Sequence, residues 1–121
     1  MVDKKPLLLV VDDEVDITET YAMFFELHGF VVVTANDALQ ALALLEQCTP
    51  DLILSDCMMP YMDGVEMSRR VRARAATAAT PIILMSGAPE LHDLASPSYD
   101  VFLRKPVLFQ PLLQEIKRLL R

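Results

Sequence analysis

Short solid apolar runs alternate with longer stretches of helical period along this chain. Residues 7–11 are all apolar, and the run stops at Asp12 and Asp13. A run without polar alternation suits a strand covered on both faces, as in a parallel sheet. Over residues 15–28 the apolar side chains Ile17, Tyr21, Phe24, Phe25 and Leu27 return at helical intervals. Gly29 suits the position just past a helix end. Residues 30–33 read as a second strand. Leu39, Leu42, Ala43 and Leu45 mark a second helix, closed by Pro50. Residues 52–54 form a third strand leading into Ser55 and Asp56. A third helix runs from Gly64 to about Arg74, with Val65, Met67 and Val71 as its apolar members. Residues 81–85 give a fourth strand ending at Ser86 and Gly87. A weak helical segment spans residues 89–95. Residues 101–103 give a fifth strand, followed by Lys105 and Pro106. A closing helix covers residues 109–120, with Leu112, Leu113, Ile116, Leu119 and Leu120 on one side.

Strand and helix thus alternate five times. That order predicts an α/β fold with a doubly wound five-stranded parallel sheet and helices on both faces. Right-handed crossovers leave few topologies. The length, 121 residues, predicts one domain over residues 1–121. Repeats, low-complexity tracts and linkers are absent from the sequence. Asp and Glu number 17 and Lys and Arg 11, a net charge of −6. This balance argues against direct nucleic-acid binding and against an anionic membrane as partner through a broad basic face. Apolar runs of about five residues fall far short of the ~20 that a membrane helix needs. The charged N-terminal stretch does not read as a signal peptide. With only two cysteines, a cytoplasmic, reducing location is expected.

In such sheets ligands sit beyond the carboxyl ends of the strands. Asp12 and Asp13 follow the first strand, Asp56 the third, Ser86 the fourth and Lys105 the fifth. Three carboxylates, one hydroxyl and one ammonium should gather at one end of the sheet. Like charges at close range raise one another's pKa, and one lysine does not neutralise three acids. A divalent cation would, and an all-oxygen donor set with few carboxylates favours Mg²⁺. The arrangement suits a carboxylate that becomes phosphorylated, with metal and lysine neutralising phosphoryl oxygens and a hydroxyl donating to them.

These residues carry a family resemblance. The acidic pair Asp12-Asp13, the stretch Asp56-Cys-Met-Met-Pro-Tyr-Met-Asp-Gly64, Ser86, and Lys105-Pro106 resemble the receiver domain of two-component response regulators. The chemotaxis regulator is the stand-alone type of that family, and the resemblance covers essentially the whole chain. It implies a flavodoxin-like sheet of order 2-1-3-4-5. It implies that Asp56 accepts a phosphoryl group from a histidine kinase or phosphotransfer protein. Asp12, Asp13, Asp56 and the backbone carbonyl of Met58 would hold Mg²⁺, and Lys105 would bond a phosphoryl oxygen. Ser86 would move toward the phosphate, with Phe102 rotating inward behind it as the second switch residue. A cis peptide is implied between Lys105 and Pro106. Such a module catalyses its own phosphorylation and is not a turnover enzyme. Its downstream target, or an effector domain on a longer chain, is left open, because the fold uses all 121 residues.

Plainer readings stand beside these. Asp is common at caps and in loops, and an aromatic on a short strand is usually core. Cys57 reads as a small buried apolar residue, and Cys48 has no evident partner. His28 and His92 are isolated, and the cluster Arg69, Arg70, Arg72, Arg74 reads as the solvated face of a helix. The segment between Ser86 and Lys105 is shorter than in the chemotaxis type and contains Pro89 and Pro97. The helix there should be short, shifted or irregular. Ser98-Tyr99, Ala38 and Val107 also depart from the family pattern, and Tyr99 is a candidate to cover surface that this helix normally provides. Met58 and Ala88 offer no polar group to an attacking water, so autodephosphorylation should be slow. Three other readings compete. One is a degenerate receiver acting as a constitutive protein-binding module. Another is a small phosphatase or phosphotransferase with an Asp nucleophile, which lacks a second carboxylate close after Asp56. The last is a flavodoxin-like cofactor binder, which lacks a glycine-rich phosphate loop.

Overall fold

The structure, a computed structural model, describes residues 4–87 and 97–121. Five strands, β1 (Leu7–Val11), β2 (Val31–Ala35), β3 (Leu52–Asp56), β4 (Ile82–Ser86) and β5 (Val101–Arg104), form one sheet. All pairings are parallel and the order is β2-β1-β3-β4-β5. Four helices join them among the described residues: α1 (Val15–Leu27), α2 (Ala38–Leu44), α3 (Gly64–Arg72) and α4 (Phe109–Leu119). The helical segment expected over residues 89–95 lies outside the described residues, as do Ala88, Pro89 and His92.

Each central strand sends alternate side chains to opposite faces. Leu9, Val11, Ile53 and Leu84 join Ala41, Met67 and Val71 in one cluster, under α2 and α3. Leu8, Val10, Leu54, Ile83 and Met85 join Phe25, Leu112 and Ile116 in the other, under α1 and α4. Every residue of β3 and β4 is buried. That double cover is why their sequences are solid apolar runs.

Boundaries depart from the periodicity where burial is partial. The second strand begins at Val31, not Phe30, and runs on to Ala35. Gly29 takes φ +90 at the end of α1, and Phe30 turns into the core. The strand extends because Thr34 and Ala35 pair with Val10 and Val11. The third helix stops at Arg72, before Arg74, and a 3-10 turn at Ala75–Thr77 follows. Tyr99 is buried in the α2–α3 cluster, its ring centroid 6.0 Å from that of Phe102. It therefore supplies core on the face where the sequence suggested cover.

The arginine cluster is absorbed by the fold. Arg69 and Arg70 both bond Glu66, whose carboxyl the Arg70 and Arg69 guanidiniums hold below its usual value. Arg74 pairs with Glu46 at 3.0 Å. Arg72 donates to the carbonyls of Thr77 and Thr80 and pairs with Asp100 at 2.7 Å. Asp100 also accepts the Ile82 N–H at 2.8 Å. One carboxylate thus ties the end of α3 to the starts of β4 and β5. Among the described residues, no helix is long and apolar enough to cross a membrane.

Asp100→Ala removes the acceptor shared by Arg72 and the Ile82 amide. It should destabilise the fold by about 1.5 kcal/mol. The expected result is a lower urea midpoint with unchanged slope.

Candidate metal and phosphoacceptor site

Register sets the site. Val11 lies opposite Ala35 and Ser55, Asp56 opposite Met85, and Ser86 opposite Arg104. The carboxyl ends of β1, β3, β4 and β5 are therefore level. The residues following or closing them, Asp12, Asp56, Ser86 and Lys105, come to one edge. Lys105 is fixed there by its N–H, which donates to the Ser86 carbonyl at 2.9 Å. The peptide between Lys105 and Pro106 is cis, as the resemblance implies.

Asp12, Asp13 and Asp56 each bring a carboxylate oxygen to within 4.8 Å of the others. Asp12 and Asp56 are buried at 3% and 7% relative exposure, and Asp13 is exposed. Lys105 Nζ lies 3.2 Å from Asp56 Oδ1. The Asp12 amide donates to Ala35 at 3.1 Å. Asp12 Oδ1 accepts the Glu14 N–H at 2.9 Å, while Oδ2 is buried with no hydrogen-bond partner. A buried carboxylate oxygen without a donor beside two further carboxylates fits a hard divalent cation such as Mg²⁺.

Burial pushes the Asp12 carboxyl above its ordinary value, the Glu14 amide opposes this, and the neighbouring Asp56 charge adds to it. For Lys105, burial works against the ammonium, but attraction to Asp56 and Asp12 outweighs it and raises the pKa. Burial also pushes the Cys57 thiol up, with the nearby Asp63 charge adding to the shift. A buried thiol held in its neutral form is a packing residue, as the sequence suggests. Cys48 is also a free thiol, its sulfur 3.4 Å from the Leu44 carbonyl.

The other expected residues fall as follows. Ser86 is buried at the end of β4. Phe102 is half-buried on β5 and packs on the α2–α3 cluster. Met58, two residues after Asp56, has an exposed side chain.

Two contributors escaped the sequence reading of roles. Gly64 opens α3 hard against the acceptor. A Cβ there would stand 2.9 Å from the Asp56 carbonyl oxygen and 3.0 Å from Cys57 Cα. Tyr21 shares with Asp12, Met85 and Lys105 the lining of an open pocket. Its hydroxyl lies 3.8 Å from Met85 Sδ, and burial raises its pKa. Helical periodicity counts Tyr as apolar. The signal for its second role is that a tyrosine turned inward needs somewhere to put its hydroxyl.

The raised Asp12 pKa has a signed consequence. The folded state holds this proton more tightly than the unfolded chain does. Stability therefore falls as pH rises from the ordinary value of 3.8 through the raised one, and the full cost persists at neutral pH. Asp12→Asn keeps the Oδ1 acceptor for Glu14 and removes the charge. Without metal at pH 7 it should be more stable than the parent by about 1 kcal/mol. Thermal melts should show this gain shrinking in acid, and Mg²⁺ should raise the melting temperature of the parent more than that of the variant.

Comparison with known proteins bears on the fold and the family. The sequence model described as the response regulator receiver domain matches residues 8–117. The DNA-binding dual master transcriptional regulator RpaA of Synechocystis is 30% identical over 119 residues, which are 96% of this chain and 49% of that protein. The chain spans about half the length of the curated relatives it matches. The chemotaxis response regulator CheY4 of Vibrio cholerae superposes with a TM-score of 0.83 at 28% identity, covering 96% of this chain and 99% of that one. The response regulator TrrA of Thermotoga maritima, solved in complex with Mg(2+)-BeF, gives 0.84 at 29% identity, covering 94% and 98%. With the match reaching from β1 into α4, the chain belongs to the response regulator receiver domain family.

Proposed function

We propose that Asp56 accepts a phosphoryl group from the phosphohistidine of a histidine kinase or phosphotransfer protein, with Mg²⁺ held by Asp12, Asp13, Asp56 and the Met58 carbonyl. The observation that carries this reading is the meeting of three carboxylates within 4.8 Å beside the Lys105 ammonium. A carboxylate oxygen of Asp56 attacks phosphorus. The P–N bond to the partner's imidazole breaks, and its electron pair stays on the ring nitrogen. The cation, when bound, offsets charge on the phosphoryl oxygens. Lys105, already paired with Asp56, shifts the hydrogen bond of its ammonium to a phosphoryl oxygen as the carboxylate charge is lost. Ser86 donates its hydroxyl to a second oxygen, and Phe102 repacks behind it against Tyr99. Little covalent work is asked of the protein, since such transfers depend mainly on positioning and charge.

The module catalyses its own phosphorylation and slow dephosphorylation and turns over no other substrate. It acts in the cytoplasm, and its output goes to a protein surface or effector domain, not to nucleic acid through this chain. Met58 is 60% exposed and apolar, and this supports slow hydrolysis, because it offers no group to orient water.

Acetyl phosphate with Mg²⁺, followed by intact-mass measurement, tests the acceptor. One phosphate adduct is expected on the parent and none on Asp56→Asn. No adduct on either would favour a degenerate receiver that binds constitutively. Loss of the adduct after removal of the donor is expected over minutes or longer, and a lifetime of seconds contradicts the role given to Met58.

A further inference from the structure

We infer that Asn36 is a positioning residue for the acidic site, acting through the backbone of Asp12. The inference rests on the Mg²⁺-dependent reading above. Asn36 is the first residue after β2. Its N–H donates to Gln40 Oε1 at 2.9 Å, and the next residue, Asp37, caps α2 by accepting the Gln40 N–H at 2.7 Å. The loop carrying Asn36 is thus held against the first turn of α2.

From there the side chain reaches across to the loop after β1. Asn36 Nδ2 lies 3.1 Å from the Asp12 carbonyl oxygen and 3.4 Å from Thr18 Oγ1. A carbonyl oxygen can only accept, so the amide nitrogen must face it. Thr18 is buried on α1, and its own proton goes to the Val15 carbonyl at 2.8 Å. Its oxygen therefore accepts the second amide hydrogen. An amide supplies both donors, whereas a carboxylate here would set oxygen against oxygen.

What this bond holds is the peptide plane between the two acids. The Asp12 N–H is already taken by Ala35, so β2 and the residue after it secure Asp12 on both sides. The Asp12 carbonyl shares its plane with the nitrogen of Asp13, so fixing it fixes the direction in which Asp13 leaves. Asp13 is exposed, and among the described residues no hydrogen bond or ion pair holds its carboxylate. Without the Asn36 bond, mutual repulsion would let this loop splay and the donors separate. Groups that orient metal ligands typically control affinity in this way.

Calorimetric titration with Mg²⁺ tests the inference on the parent, Asn36→Ala and Asp100→Ala. Asn36→Ala should bind about tenfold more weakly. Asp100→Ala, destabilised far from the acids, should bind as the parent does. A folded Asn36→Ala, shown by a cooperative melt, with parental affinity overturns the inference. Equal weakening in both variants also overturns it, because the loss would then follow stability alone. A parent that binds no Mg²⁺ overturns this inference together with the reading it rests on, whereas the first two outcomes leave that reading intact. Asn36→Ser, too short to reach the carbonyl, is the second variant should Asn36→Ala fail to fold.

Discussion

The structure depends on holding three carboxylates at one end of a parallel sheet against their mutual repulsion. Two of them, Asp12 and Asp56, are buried, and among the described residues one ammonium, that of Lys105, meets them. Water would screen such charges if the loops opened. The fold prevents this with bonds that do not involve the acids' own oxygens. The Asp12 amide is tied to β2, the Lys105 amide to β4, and the Cys57 amide to Met85 at 2.7 Å. Stability is thereby given up at the carboxylates and recovered in the ladder beneath them.

That ladder was legible in the sequence because β3 and β4 are covered on both faces. Burial without alternation writes itself as unbroken apolar runs, and each such run ends at a chemically distinctive residue. Asp12, Asp13, Asp56 and Lys105 could be placed together from topology alone. The edge was harder to read. In β2 only Ala35 is buried, so periodicity could not settle where pairing with β1 begins. The end of α3 was obscured in the same way. Arg72 and Arg74 look alike as residues, but Arg72 is drawn back to Thr80 and Asp100, and the helix stops there. Such a long-range bond leaves no local pattern.

The same limit governs the site. Residue type reveals which groups can ligate or donate, but not which small or mixed residues must stand beside them. Gly64 shows in the sequence as a helix start and the end of a motif, and its close approach to Asp56 emerges from packing. Tyr21 and Asn36 look ordinary for an inward helix face and a loop, and their reach toward Asp12 is a property of the assembled strands. Four clustered arginines read in the sequence as a solvated helix face, and only the structure shows the acid that each of them pairs with.

The contact at Gly64 has a mechanical consequence. Helix α3 starts so close to the Asp56 carbonyl that no side chain fits between them. Among the described residues, a Cβ at Gly87 would meet nothing nearer than 3.9 Å, at Lys105. The tight seam lies on the β3–α3 side of the acceptor. The phosphorylation proposed for Asp56 would therefore meet a fixed wall on the α3 side, where the backbone at Gly64 leaves no room even for a Cβ.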